Sequence, residues 1–273
     1  MPAVLHANEG GTRDPLVFVH TWPIEGRYFD ALARHVGSEQ PLFALACPPP
    51  EVCVRFNLVA DWVEYELDHL SGLPAGPFRL AGWSFGGVVA LELARRLAQD
   101  GAGVSSLDLV DTWIPRGHPR TVAESAAHHL QRILALAPPA RRAEIAAVAR
   151  RVPGQVRALT SQKAQKLARR FGRGTPPPQH EVDPQARAIW VPFVKYEPAP
   201  YFERVTISAC EASIRRNDGD PSLGWSRWLV AGFATARIEG EHRTMWTEPH
   251  IKSIAQVLTG TGAGSGAGRG EWG

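Results

Sequence analysis

The chain has 273 residues, 44% of them apolar, which excludes global disorder and leaves room for one large domain with a substantial core. A formal charge of +3 is too small to single out nucleic acid or an anionic membrane as a partner. The three cysteines, Cys47, Cys53 and Cys210, stand at no metal-ligand spacing and leave one unpaired, so they read as thiols in a reducing compartment and no metal site is expected.

Residues Met1 to Arg13 lack the apolar stretch of a signal peptide, and no run approaches the roughly 18 apolar residues of a membrane span. A soluble cytoplasmic protein is the expectation. Short apolar runs read as buried strands at Leu16–Val19, Leu42–Ala46, Phe78–Ala81, Leu107–Val110, Val205–Ala209 and Ala234–Ile238. Helical patterns fall between them, at Tyr28 to Val36, Leu58 to Leu70 and Val88 to Ala98. Such alternation predicts a mostly parallel sheet flanked by helices.

The middle of the chain differs. Alanine- and arginine-rich helical stretches at 133–151 and 155–171 are punctuated by Pro138-Pro139, Pro153 and Pro176-Pro177-Pro178, and the first strand-like run is Ile189-Trp190-Val191. The expected organisation is a first core part (1–115), a helical lid insertion (116–203), a second core part (204–258) and a glycine-rich flexible tail (259–273).

Gly82-Trp83-Ser84-Phe85-Gly86-Gly87 joins the strand at Phe78 to the helix at Val88. A G-x-S-x-G sequence in that setting is a nucleophile elbow, a sharp turn that lifts the serine hydroxyl off the sheet edge. The helix that follows brings partial positive charge towards a developing oxyanion. An ordinary serine in a glycine-rich turn is the weaker reading.

A serine hydroxyl needs a histidine to take its proton and an acid to hold the imidazole. In this fold the order along the chain is serine, acid, histidine. Among ten histidines, His242 has both the order and the setting, a glycine-containing loop after the last strand. Thr247 is read as the N-cap of the final helix, with Glu248 and Pro249 in its first turn. Two carboxylates compete as the acid: Asp111, at the end of the strand Leu107–Val110, and Glu211, after the strand at Val205.

The run from Leu80 to Leu97 (LAGWSFGGVVALELARRL) resembles the thioesterase domains that end nonribosomal peptide synthetases and some polyketide synthases. Pro15 to His20, Pro41 to Leu45, Asp220 to Trp225 and Gly240-Glu241-His242 extend the resemblance over most of the chain except the lid. It implies an α/β-hydrolase fold and makes Asp111 the acid ahead of Glu211. It also implies an oxyanion hole from the backbone N–H groups of Phe85 and a residue near Trp22. The loop His20 to Gly26 departs from the family pattern, and Trp22 is bulky for that place. Trp22 and Trp113 are candidates for the substrate pocket, with simple packing as the alternative.

From Leu130 to Arg173 eleven Arg and Lys residues face a single carboxylate, Glu144. That is a solvated helix face or a dock for an acidic partner. An acyl or peptidyl carrier protein bearing phosphopantetheine suits such a dock, with Arg141, Arg142, Arg150 and Arg151 as candidate contacts; no nucleic-acid module accompanies the charge. No cofactor of the enzyme's own is expected beyond the carrier's arm. The expected activity is release of an acyl chain through acyl-Ser84, by hydrolysis or by macrocyclisation. Its rivals are a general esterase for small free esters and a catalytically silent binding protein.

Overall fold

Four consecutive apolar residues in a strand can be buried only if both faces of the sheet are covered, and Leu16, Val17, Phe18 and Val19 are all fully buried. The computed structural model describes residues 4–20, 26–74, 76–114 and 184–260. In it the strands β1 (Val4–Ala7), β2 (Leu16–Val19), β3 (Leu42–Leu45), β4 (Phe78–Trp83), β5 (Val104–Val110), β6 (Val205–Cys210) and β7 (Phe233–Ile238) form one sheet in the order β1-β3-β2-β4-β5-β6-β7. Every neighbouring pair is parallel except β1 with β3. This is the mostly parallel, helix-flanked architecture of the α/β-hydrolase fold.

Side chains alternate across a strand, so β2 and β3 feed both layers. Val17, Val19, Phe43 and Leu45 join α3 (Val59–Leu70) and α4 (Phe85–Gln99) on one face. Leu16, Phe18, Leu42 and Ala44 meet α1 (Gly26–Val36) and the final helix on the other. The amino end of β4 is tied to that final helix by Arg79, which donates to the carbonyl of Leu258 and, at 2.8 Å, to Gln40 Oε1.

Several elements depart from the sequence reading. Strand β1 was absent from it, because Val4-Leu5-His6-Ala7 is short, edge-placed and only partly buried. Helix α2 (Pro50–Cys53) is a single turn opened by proline. The run Ile189-Trp190-Val191 is not strand-like but lies within α5 (Pro184–Lys195). Ala188, Ile189 and Phe193 are the buried side of that helix. Pro192 has no N–H for the carbonyl of Ala188, four residues back, and the indole of Trp62 supplies the missing donor at 3.0 Å. The helix is thereby fastened to α3.

Thr247 does not cap the final helix, α7 (Ile251–Thr259), whose N-cap is His250. The Thr247 hydroxyl donates back to the carbonyl of Thr244 at 2.7 Å instead of accepting from the helix. A short α6 (Glu211–Arg216) follows β6 directly. Cys47, Cys53 and Cys210 form no disulfide among the described residues. Among the described residues no helix is long and apolar enough to cross a membrane. The basic run from Leu130 to Arg173, including Arg141, Arg142, Arg150 and Arg151, lies outside the described residues, as do Trp22 and the chain beyond Gly260.

Candidate active site

All the parallel strands point their carboxyl ends to one edge, where the loops of such sheets gather functional groups. Ser84 follows β4 there with φ +56°, a left-handed conformation that costs a non-glycine residue energy and that the surroundings must hold in place. Its N–H donates to the carbonyl of Val110 on β5 at 3.0 Å, and its own carbonyl accepts from the N–H of Gly87 at 3.1 Å. The elbow explains its glycines. A Cβ on Gly82 would collide with the backbone of Gly86 and Gly87, and one on Gly87 would collide with the Thr112 side chain. Phe85 is the first residue of α4 and is buried, so its N–H belongs to the helix terminus beside the serine.

Asp111 follows β5, also in the left-handed region at φ +45°, and is fully buried. Its N–H donates to the carbonyl of Ser208 at 2.6 Å, which fixes the turn against β6. The carboxylate is fully engaged. Oδ2 receives Nδ1 of His242 at 2.7 Å and the hydroxyl of Ser213 at 2.8 Å, and Oδ1 receives the N–H of Cys210 at 3.1 Å. Glu211, the competing carboxylate, is exposed and pairs with Arg237 at 2.7 Å and Arg215 at 3.5 Å. The structure therefore brings Asp111, and not Glu211, to His242.

His242 sits in the loop between β7 and α7, with Gly240 at φ +82° making the turn. Its imidazole lies between two indoles: the ring centroids of Trp83 and Trp113 are each 4.8 Å from its own. Trp83 precedes the serine, so this packing holds the imidazole beside the elbow. Trp113 also meets Phe193 of α5 at 5.9 Å.

The motif Asp220 to Trp225 supports the segment after Asp111. The Asp220 carboxylate accepts from the N–H groups of Ser222 and Gly224, at 2.8 and 3.0 Å, and shapes a tight loop. From that loop the Trp225 indole donates to the carbonyl of Thr112 at 2.9 Å, and the carbonyl of Leu223 accepts from the N–H of Ile114 at 3.2 Å. The sequence reading missed Ser213 and Cys210 as partners of the acid. The signal lay in topology, since β6 pairs with β5 and Ser208 stands opposite Val110. The last residue of β6 and those just after it then meet Asp111.

His20, at the end of β2, is buried, stacked on Phe18 at 4.5 Å and edged by Trp246 at 5.6 Å. Its Nδ1 has no hydrogen-bond partner among the described residues, and burial pushes its pKa down to about 3 from 6.5. The imidazole is neutral in the fold but charges in the unfolded chain below pH 6.5. Stability from this group is complete above pH 6.5 and falls as the pH drops towards 3, by on the order of 4–5 kcal/mol in total. Burial pushes the Asp108 carboxyl up to about 7, which acts in the opposite sense over part of that window. The informative quantity is therefore the difference between variants. His20→Phe, which keeps the ring stack, is expected to flatten the pH dependence of the unfolding free energy between pH 6.5 and 3 in urea titrations. An unchanged slope would contradict a neutral buried His20.

A family model for the thioesterase domain matches residues 14–259. Chondramide synthase of Chondromyces crocatus is 25% identical over 267 residues, covering 93% of this chain and 7% of the synthase. An N-(5-amino-5-carboxypentanoyl)-L-cysteinyl-D-valine synthase of Amycolatopsis lactamdurans is 46% identical over 88 residues, covering 28% of this chain and 2% of that protein. The chain thus spans only a small fraction of the length of these curated relatives. Among solved structures, the thioesterase domain of NocB from the nocardicin cluster superposes with a TM-score of 0.62 at 23% identity, covering 95% of this chain and 98% of that one. The Vlm2 thioesterase domain gives 0.53 at 17% identity, covering 93% and 95%. At these identities the likeness to solved structures concerns the fold.

Proposed function

The chain belongs to the thioesterase domain family, and from that premise we propose that it releases an acyl or peptidyl chain from the phosphopantetheine thioester of a carrier protein through an acyl-Ser84 intermediate. The observation that carries this reading is the 2.7 Å contact of Asp111 with His242 at the sheet edge that also holds the elbow serine. In the proposed first step Nε2 of His242 takes the Ser84 proton as Oγ bonds to the thioester carbon. Asp111 holds the Nδ1–H tautomer and stabilises the imidazolium that forms. The N–H of Phe85, with a second donor near Trp22, stabilises the tetrahedral oxyanion. Collapse breaks the carbon–sulfur bond, and the imidazolium returns its proton to the departing phosphopantetheine thiol. Water, or an amine or hydroxyl of the bound acyl chain, then attacks the acyl carbon and gives its proton to His242; the bond to Ser84 Oγ breaks, the serine regains that proton, and an acid or a ring is released.

Resemblance to modules of long synthases supports a carrier-bound substrate, and the basic run supports an acidic docking partner. If Arg141, Arg142, Arg150 and Arg151 dock the carrier, reversing their charge acts on encounter. The apparent KM for carrier-loaded substrate should rise severalfold, and added salt should raise it for the wild type. Small acyl thioesters lacking the carrier should be turned over as before. Identical responses of both substrates would leave the positive charge as a solvated face, and a preference for free oxyesters would favour a general esterase.

A further inference from the structure

We infer that Ser213 is a positioning residue of the site, whose hydroxyl locks the Asp111 carboxylate and tempers its charge towards His242. This rests on the reading of Ser84, Asp111 and His242 as a triad.

The geometry is asymmetric in an informative way. Oδ2 of Asp111 is shared by two donors, His242 Nδ1 at 2.7 Å and Ser213 Oγ at 2.8 Å, while Oδ1 takes the N–H of Cys210. One backbone donor alone would leave the carboxylate free to rotate about its terminal torsion, which is soft. Ser213 restricts that torsion through Oδ2. Its side chain is buried on α6, so no solvent competes for the hydroxyl. The Cys210 thiol adds a weaker link, 3.3 Å from Ser213 Oγ and 3.5 Å from Asp111 Oδ2. Among the described residues, the titratable groups that meet Asp111 are His242 and this thiol.

A hydroxyl donating to the same oxygen as the imidazole has a second effect. It takes up part of the negative charge that His242 would otherwise meet. Without it the carboxylate holds the imidazolium proton more tightly, so a higher pH is needed to generate the neutral base. A purely structural role predicts the opposite. Loosening of α6 would weaken the contact between Asp111 and His242 and let the base form at lower pH.

The test uses an active-site-directed fluorophosphonate, because phosphonylation of Ser84 reports the triad without a thioester or a carrier. Its rate is measured from pH 5 to 9 for the wild type, Ser213→Ala, Ser213→Thr and Asp111→Asn, and for Ser213→Ala combined with Asp111→Asn, with thermal unfolding confirming that each is folded. The expected result for Ser213→Ala is a rate about tenfold lower and a pH midpoint shifted upwards. Threonine, which keeps the hydroxyl, restores both. In the Asp111→Asn background the loss on removing Ser213 should nearly vanish, because the two act as a unit. An unmoved or lowered midpoint, or an equal loss in both backgrounds, would overturn the inference. Wild-type labelling at Ser84 without turnover of acyl thioesters would refute the proposed function and leave the Ser213 test standing. Absence of Ser84-dependent labelling would overturn both.

Discussion

Ser84→Ala is expected to leave the fold intact and to lower acyl-thioester turnover by roughly six orders of magnitude, as removal of a triad nucleophile does elsewhere. The fold should survive because the strain of the elbow lies in the backbone at φ +56°, held by the bonds of Ser84 N–H to Val110 and of its carbonyl to Gly87. Alanine keeps both bonds. The loss therefore measures chemistry alone, and circular dichroism with a thermal melt is the control. Residual turnover within a hundredfold of the wild type would mean that another group attacks the thioester, and Cys47, Cys53 and Cys210, which form no disulfide among the described residues, would be the first suspects.

Asp111→Asn carries the second largest expected effect, a fall of about 10⁴ in kcat. The amide is nearly isosteric, yet its NH₂ cannot accept from His242, and a flipped amide would favour the wrong imidazole tautomer. The burial of Asp111 and its contacts with Ser213 and Cys210 leave the side chain no room to evade that conflict. Glu211→Gln should change the rate less than threefold, since that carboxylate is exposed and bonded to Arg237 and Arg215, where pairs contribute little. The reverse ranking would move the acid to the end of β6 and contradict the geometry.

Much of this was legible from the chain. The strands at Leu16, Leu42, Phe78, Leu107 and Val205 are short apolar runs because both faces are covered, and such runs stand out in a sequence. The elbow turn and the loop of His242 were legible because a tight turn demands glycine and because the order of strand-end loops is a property of the fold. The competition between Asp111 and Glu211 was not decided by residue type. Both are carboxylates at strand ends; the family resemblance put Asp111 ahead, and the structure brings Asp111 to His242. Ser213 was invisible for a related reason: its contact crosses 102 positions and follows from β6 pairing with β5. Helix α5 was misread because Ile189-Trp190-Val191 is apolar with two β-branched residues, whereas the buried side is set by Ala188, Ile189 and Phe193 and anchored by Trp62. The final helix begins later than Thr247 because that hydroxyl turns back to Thr244.

The account rests on a covalent acyl-Ser84 intermediate, and mass spectrometry tests it most directly. The protein is mixed with an acyl-pantetheine thioester, quenched in acid within the first turnovers and digested. The prediction is an acyl mass increment on the peptide containing Ser84, absent in Ser84→Ala and accumulating in His242→Ala only at a greatly reduced rate. An increment on a peptide containing Cys47, Cys53 or Cys210, or turnover with no covalent adduct at any quench time, would contradict it.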